Sequence, residues 1–245
     1  MKPRWLLTAG SILLLVATWE AAVRATGVPV YLVPAPADIL SVLVARAGRL
    51  GTAAGVTLGQ ALAGLLLGGA FGLALAVSIT FWNELEQGVM SLALLIKSTP
   101  IIAVAPILTI WMGFGPGPKI VVTALLTFFP VLINSLEGFR SVDPAVADWF
   151  RSIDAPPRQY FWQARWPSAR PFLFAALKVA GPLSLIGAVV AEWMGASSGL
   201  GRQMWLAYTN LDMPTLFAAV VVLTLLSALV YRVVVGAERR TVHWA

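Results

Sequence analysis

Six apolar stretches constrain this chain more than any other feature. They cover residues 5–23, 55–81, 88–112, 119–136, 172–193 and 214–235. Crossing about 30 Å of hydrocarbon takes about 20 apolar residues, and each stretch meets or approaches that length. None alternates polar and apolar residues as barrel strands do, and backbone groups in lipid must be paired internally, so the spans are predicted to be helices. Composition agrees. The chain is 59% hydrophobic and 11% charged, too few polar side chains to cover a water-facing surface. The fold class is all-α, a polytopic membrane protein read as a single domain over 1–245.

Charge sets an expected orientation. With the N-terminus in the cytoplasm, ten basic residues lie inside: Lys2, Arg4, Arg140, Arg151, Arg158, Arg165, Arg170, Arg232, Arg239 and Arg240. Five lie outside: Arg24, Arg46, Arg49, Lys119 and Arg202. Positive residues favour the cytoplasm, so both termini are expected there. The net charge of +6 is read as this signal and not as a nucleic-acid surface. Met1 to Arg4 with the following apolar run has a signal-peptide look, but the run is long and Glu20 and Arg24 crowd any cleavage site. A retained helix is expected.

Chemistry is sparse. There is no cysteine, and the one histidine, His243, reads as solvated. No phosphate-binding loop, intramembrane carboxylate pair or hydrolytic constellation occurs, so if the chain moves anything uphill the energy must come from elsewhere. The chain is read as no enzyme, with no cofactor or metal of its own.

Several features bear on packing and a path. Gly64, Gly68 and Gly72 repeat every four residues, a face that is either simple close packing on a neighbour or a mobile or substrate-lining contact. Pro100 and Pro106 interrupt the third span, and Ser98 and Thr99 stand ready to satisfy freed carbonyls. Lys97 and Lys178 lie in or beside spans, where they snorkel to headgroups or face a path. Glu192, with Ser197 and Ser198 nearby, reads as a gate or as an interfacial residue. The candidate path or gate is therefore Lys97, Ser98, Thr99, Pro100, Glu192, Ser197 and Ser198. An amphipathic stretch over 39–50, after Pro34 and Pro36, is expected along the outer surface.

The one large polar segment is the loop 137–171, with nine charges between Glu137 and Arg170. Asp143-Pro144 starts a predicted helix over 145–153. Ala155-Pro156-Pro157 forces a turn, and a second helix over 158–166 is expected to end near Pro167. Aromatic residues among arginines suit a protein contact, and Trp149 and Phe150 are assigned to it. Trp162 and Trp166 fit equally well in an aromatic belt.

These residues carry a resemblance. LVPAPADIL at 32–40, KSTPIIAVAPILTIWMGFG at 97–115, then Lys119, Phe128-Phe129-Pro130 through Asn134, and AEWMGASSGLG at 191–201 resemble the permease subunit of bacterial binding-protein-dependent ABC importers. The likeness is to the branch of nitrate, sulfonate and taurine systems. It implies alternating access, ATP and magnesium on separate cytoplasmic ATPase subunits, a second permease copy, an external or lipid-anchored substrate-binding protein, and the bacterial inner membrane. The family's Glu-Ala-Ala coupling motif falls on Asp148-Trp149-Phe150, with Asp154 at its glycine and Pro167 at its late proline. By resemblance Asp148, Trp149, Phe150, Arg151, Asp154 and Arg158 contact the ATPase. Residues 186–201 resemble permeases for pyrimidine precursors of thiamine, with sulfonate, taurine or nitrate as other cargoes. An ion-coupled secondary transporter is the competing expectation.

Overall fold

The computed structural model describes residues 4–242. Lys2 and His243 lie outside them. Eleven α-helices follow one another among the described residues: α1 Arg4–Thr26, α2 Pro36–Ala45, α3 Ala47–Phe81, α4 Glu86–Ser98, α5 Ile101–Met112, α6 Gly117–Arg140, α7 Pro144–Ser152, α8 Pro157–Tyr160, α9 Trp166–Trp193, α10 Leu200–Thr209 and α11 Met213–Thr241.

Helices α3, α6 and α9 form the centre. The glycine face of α3 meets α6: a Cβ on Gly68 would lie 2.4 Å from the Ala124 carbonyl oxygen, and one on Gly72 would lie 2.5 Å from that of Phe128. Hydrogen at those positions lets two backbones touch, which is how helices gain packing energy in lipid. Of the two readings of this stripe, close packing is the one seen. Helix α11 packs on α9 and α10, and Trp19 of α1 meets Phe217 of α11 at 5.9 Å between ring centroids.

Four helical stretches are long and apolar enough to span: Ala47–Phe81, Gly117–Arg140, Pro157–Trp193 and Met213–Thr241. Helix α1 is 23 residues long. The predicted third span is not one helix. It divides into α4 and α5, which meet at 92° around Thr99 and Pro100. Proline lacks an amide donor and drives the preceding residue to extended backbone, and Thr99 stands at ψ 126°. Pro106, by contrast, stays inside α5.

Two other expectations are corrected. The stretch 39–50 is not one surface helix: α2 ends at Ala45, Arg46 breaks the chain, and Ala47 already begins α3. Ile39 is buried against α11, which explains its apolar face. Pro167 does not end a helix. A π turn over Phe161–Arg165 carries α8 into α9 as one 37-residue rod, because the widened turn holds Gln163, the residue whose carbonyl the proline ring would otherwise strike. Helix α10, between the last two spans, was not foreseen.

Candidate functional site

The break between α4 and α5 opens a pocket of about 350 Å³ against α6. Lys97, Thr99, Phe129, Pro130 and Asn134 are among its walls. Lys97, Ser98, Thr99 and Pro100 are all exposed. The Lys97 ammonium lies 4.4 Å from the centre of the Phe129 ring and forms no ion pair among the described residues. Lys178 differs. It does not line this pocket, but reaches Glu238 of α11 at 2.8 Å to each carboxylate oxygen.

At the far end of α6 and α9 a buried polar cluster joins the connecting turns. The Glu192 carboxylate, 0% exposed, accepts from Thr57 Oγ1 at 2.8 Å and from the Gly201 amide at 2.7 Å. Thr57 Oγ1 in turn accepts from the Leu200 amide at 2.8 Å. Together they satisfy the first free donors of α10, where a carboxylate also favours the positive helix end. Gly199, at φ +106°, passes so close that any Cβ would strike the carboxylate. Glu192 is thus buried, and its hydrogen bonds hold the start of α10 in place. Ser197 and Ser198 sit exposed on the turn beside it. Lys119, counted in sequence as an external charge, is 1% exposed. Its ammonium donates to the Phe114 carbonyl at 3.0 Å and to Gly195 at 3.4 Å, tying the α5–α6 turn to the α9–α10 turn.

The loop after α6 folds as a short hairpin of α7 and α8. Asp143 caps α7 by accepting from the Ala145 amide at 2.7 Å. Asp154 adopts φ +47°, the left-handed backbone a glycine takes most easily. Asp148 and Arg151 are exposed and pair with each other at 2.8 Å, and Trp149 and Arg158 are exposed too. Phe150 departs from the contact reading. It is buried under the hairpin, 5.3 Å from the Tyr160 ring, so it supports the loop from beneath. Arg165 anchors the hairpin to α3, donating to the Thr80 carbonyl at 3.1 Å while its guanidinium lies 4.9 Å from the Tyr160 ring centre. A cavity of about 570 Å³ remains between hairpin and bundle, lined in part by Phe150, Arg151, Asp154 and Arg165.

Residues 68–243 match the family described as the inner membrane component of binding-protein-dependent transport systems. The chain belongs to that family. The permease is 35% identical over 234 residues to the formylaminopyrimidine transport permease protein ThiX of Halalkalibacterium halodurans, covering 95% of this chain and 93% of that one. It is 30% identical to the riboflavin transport system permease protein RibX of Chloroflexus aurantiacus, over 96% and 88% of the two chains. A putative aliphatic sulfonates transport permease, SsuC of Bacillus subtilis, is 27% identical over 94% and 84%. The fold resembles a chain of the MetNI methionine ABC transporter in inward-facing form, with TM-score 0.71 and 19% identity, covering 79% of the permease and 96% of that chain.

The permease is therefore a multi-pass membrane subunit of an ATP-driven importer for a small solute, and the ion-coupled alternative falls away. The family works with an ATPase and a substrate-binding protein. Of the predicted residues, Lys97 and Thr99 line one pocket with Ser98 and Pro100 next to them in the chain, while Glu192 lies in a separate cluster with Thr57, beside Ser197, Ser198 and Lys119. Sequence reading missed Thr57 and did not foresee the burial of Lys119. The signal for the cluster was present in Gly199 and Gly201, which leave room for a side chain, but nothing local says that the side chain is Glu192.

Proposed function

We propose that the permease forms half of a translocation path for a pyrimidine precursor of thiamine, with a second copy forming the other half. One observation carries this reading. Lys97 is exposed beside Phe129, which stands 12 residues after Gly117 and 11 before Arg140, midway along a spanning helix. A charged ammonium at that depth does not face lipid; it faces a watery cavity. The cargo follows from the likeness to the formylaminopyrimidine permease over 95% of the chain.

Asp148, Trp149, Arg151, Asp154 and Arg158 meet a cytoplasmic ATPase subunit that carries ATP and magnesium, and Phe150 supports them from below. Both termini lie in the cytoplasm, and the turns around Gly195 face the external binding protein. ATP-bound and ATP-free partners favour different packings of the same helices. The test is uptake of radiolabelled formylaminopyrimidine into proteoliposomes holding permease, ATPase and binding protein. Uptake should require enclosed ATP, and the permease alone should hydrolyse none. Uptake driven by an ion gradient without ATP would overturn the reading.

A further inference from the structure

The pocket at the helix break has a chemistry of its own. Asn134 Nδ2 donates to the Pro130 carbonyl at 2.8 Å, which fixes the amide orientation, since a carbonyl accepts only from the nitrogen side. The Asn134 carbonyl oxygen then makes no hydrogen bond among the described residues and remains an acceptor in the pocket wall. Phe129 offers an aromatic ring, with the Lys97 ammonium near it as a donor. Leu125, Leu126, Ile133 and Leu183 complete an apolar lining. At about 350 Å³ the pocket is at the low end of the 300–1,000 Å³ typical for small molecules.

We infer that this pocket is a solute-binding subsite within the path, built for a small planar nitrogen heterocycle. The ring takes the place of the Lys97 ammonium over Phe129, an exocyclic amino group donates to Asn134 Oδ1, and a carbonyl oxygen accepts from the displaced Lys97 Nζ. An aminopyrimidine bearing a formyl group supplies all three. A sulfonate would use Lys97 alone and leave Phe129 and Asn134 idle. The inference rests on the cargo reading above and adds to it the atoms that recognise the cargo.

The test uses the full complex of permease, ATPase and binding protein in proteoliposomes, with radiolabelled formylaminopyrimidine as the probe. Phe129→Leu should lower maximal uptake about tenfold, the scale of one lost ring-stacking contact. Phe129→Tyr should restore it to within about twofold. Asn134→Leu should lower it by about fivefold, the scale of one lost hydrogen bond. Each complex is first checked for copurification of the ATPase, so that loss of assembly is not read as loss of binding. If the unmutated importer carries the probe and both Leu variants stay within about twofold of it, the subsite is overturned while the cargo reading stands. If the unmutated importer carries ethanesulfonate and not formylaminopyrimidine, the cargo reading fails, and the heterocycle subsite fails with it.

Discussion

Two lysines of this permease begin from the same chemistry and end in opposite environments. Lys119 is buried at a helix start and spends its hydrogen bonds on two carbonyls in two separate turns. Lys97 stands exposed at a helix break with an aromatic ring as its neighbour. The first region is tightly enclosed: Thr57, Gly199 and Gly201 surround the Glu192 carboxylate. The second is held on one side by α6 and is open on the other. A buried, hydrogen-bonded charge fixes geometry, whereas an exposed one is free to meet water or a solute.

The largest effect should come from the enclosed region. Glu192→Ala leaves the Thr57 hydroxyl and the Gly201 amide without their acceptor, and at about 1–3 kcal/mol for each stranded donor should cost about 2–6 kcal/mol. Thermal unfolding of the detergent-extracted permease reads this, and Glu192→Gln should lose less than half as much because it keeps an acceptor. Equal and small losses from both would break the contrast. Gly68→Val comes next. Its side chain would enter the space of the Ala124 carbonyl, and overpacking of that kind costs about 1–3 kcal/mol in the same assay.

Lys178 sharpens the comparison from a third position. Lys178→Met strands the Glu238 carboxylate, with an expected loss of about 1–3 kcal/mol that the double variant with Glu238→Leu should recover in part. Lys97→Met should change stability by less than about 1 kcal/mol, since it removes one exposed cation–ring contact. Its effect should appear in uptake instead.

How much of this was legible in the residues follows the same divide. Span locations came from apolar runs, because lipid leaves no alternative to helices. The break at Pro100 was legible because proline acts locally. The continuity through Pro167 was not, since it depends on a π turn whose bonding no single residue announces. Lys119 looked like a topogenic charge because a lysine at a span edge is the same letter whether it faces water or two carbonyls. The Glu192 cluster joins residues 57, 119 and 192 through tertiary packing alone, and no spacing rule reaches that far. Asp154 was readable in the other sense: the family pattern asked for a left-handed residue, and the backbone takes φ +47° there.

The smallest expected effect lies at the edge of the enclosed region. Asp212 caps α11, accepting from Thr215 and from Arg46 at 2.8 Å. Burial pushes its carboxyl up, but the Thr215 and Arg46 hydrogen bonds outweigh it, and the group sits below the usual aspartate value. A lowered value stabilises the fold above the ordinary aspartate range and is lost as pH falls through it. Melting of the unmutated permease should therefore weaken slightly below about pH 4, and Arg46→Leu should flatten that slope.

The uninterrupted helix from Pro157 to Trp193 has a mechanical consequence. At about 1.5 Å per residue its 37 residues form a shaft about 55 Å long. One end is fused to the hairpin that carries Arg158, and the other stops one residue past Glu192. Hairpin and opposite turn thus share one continuous backbone, whose π turn and whose Pro171 and Pro182 are the points where it can bend.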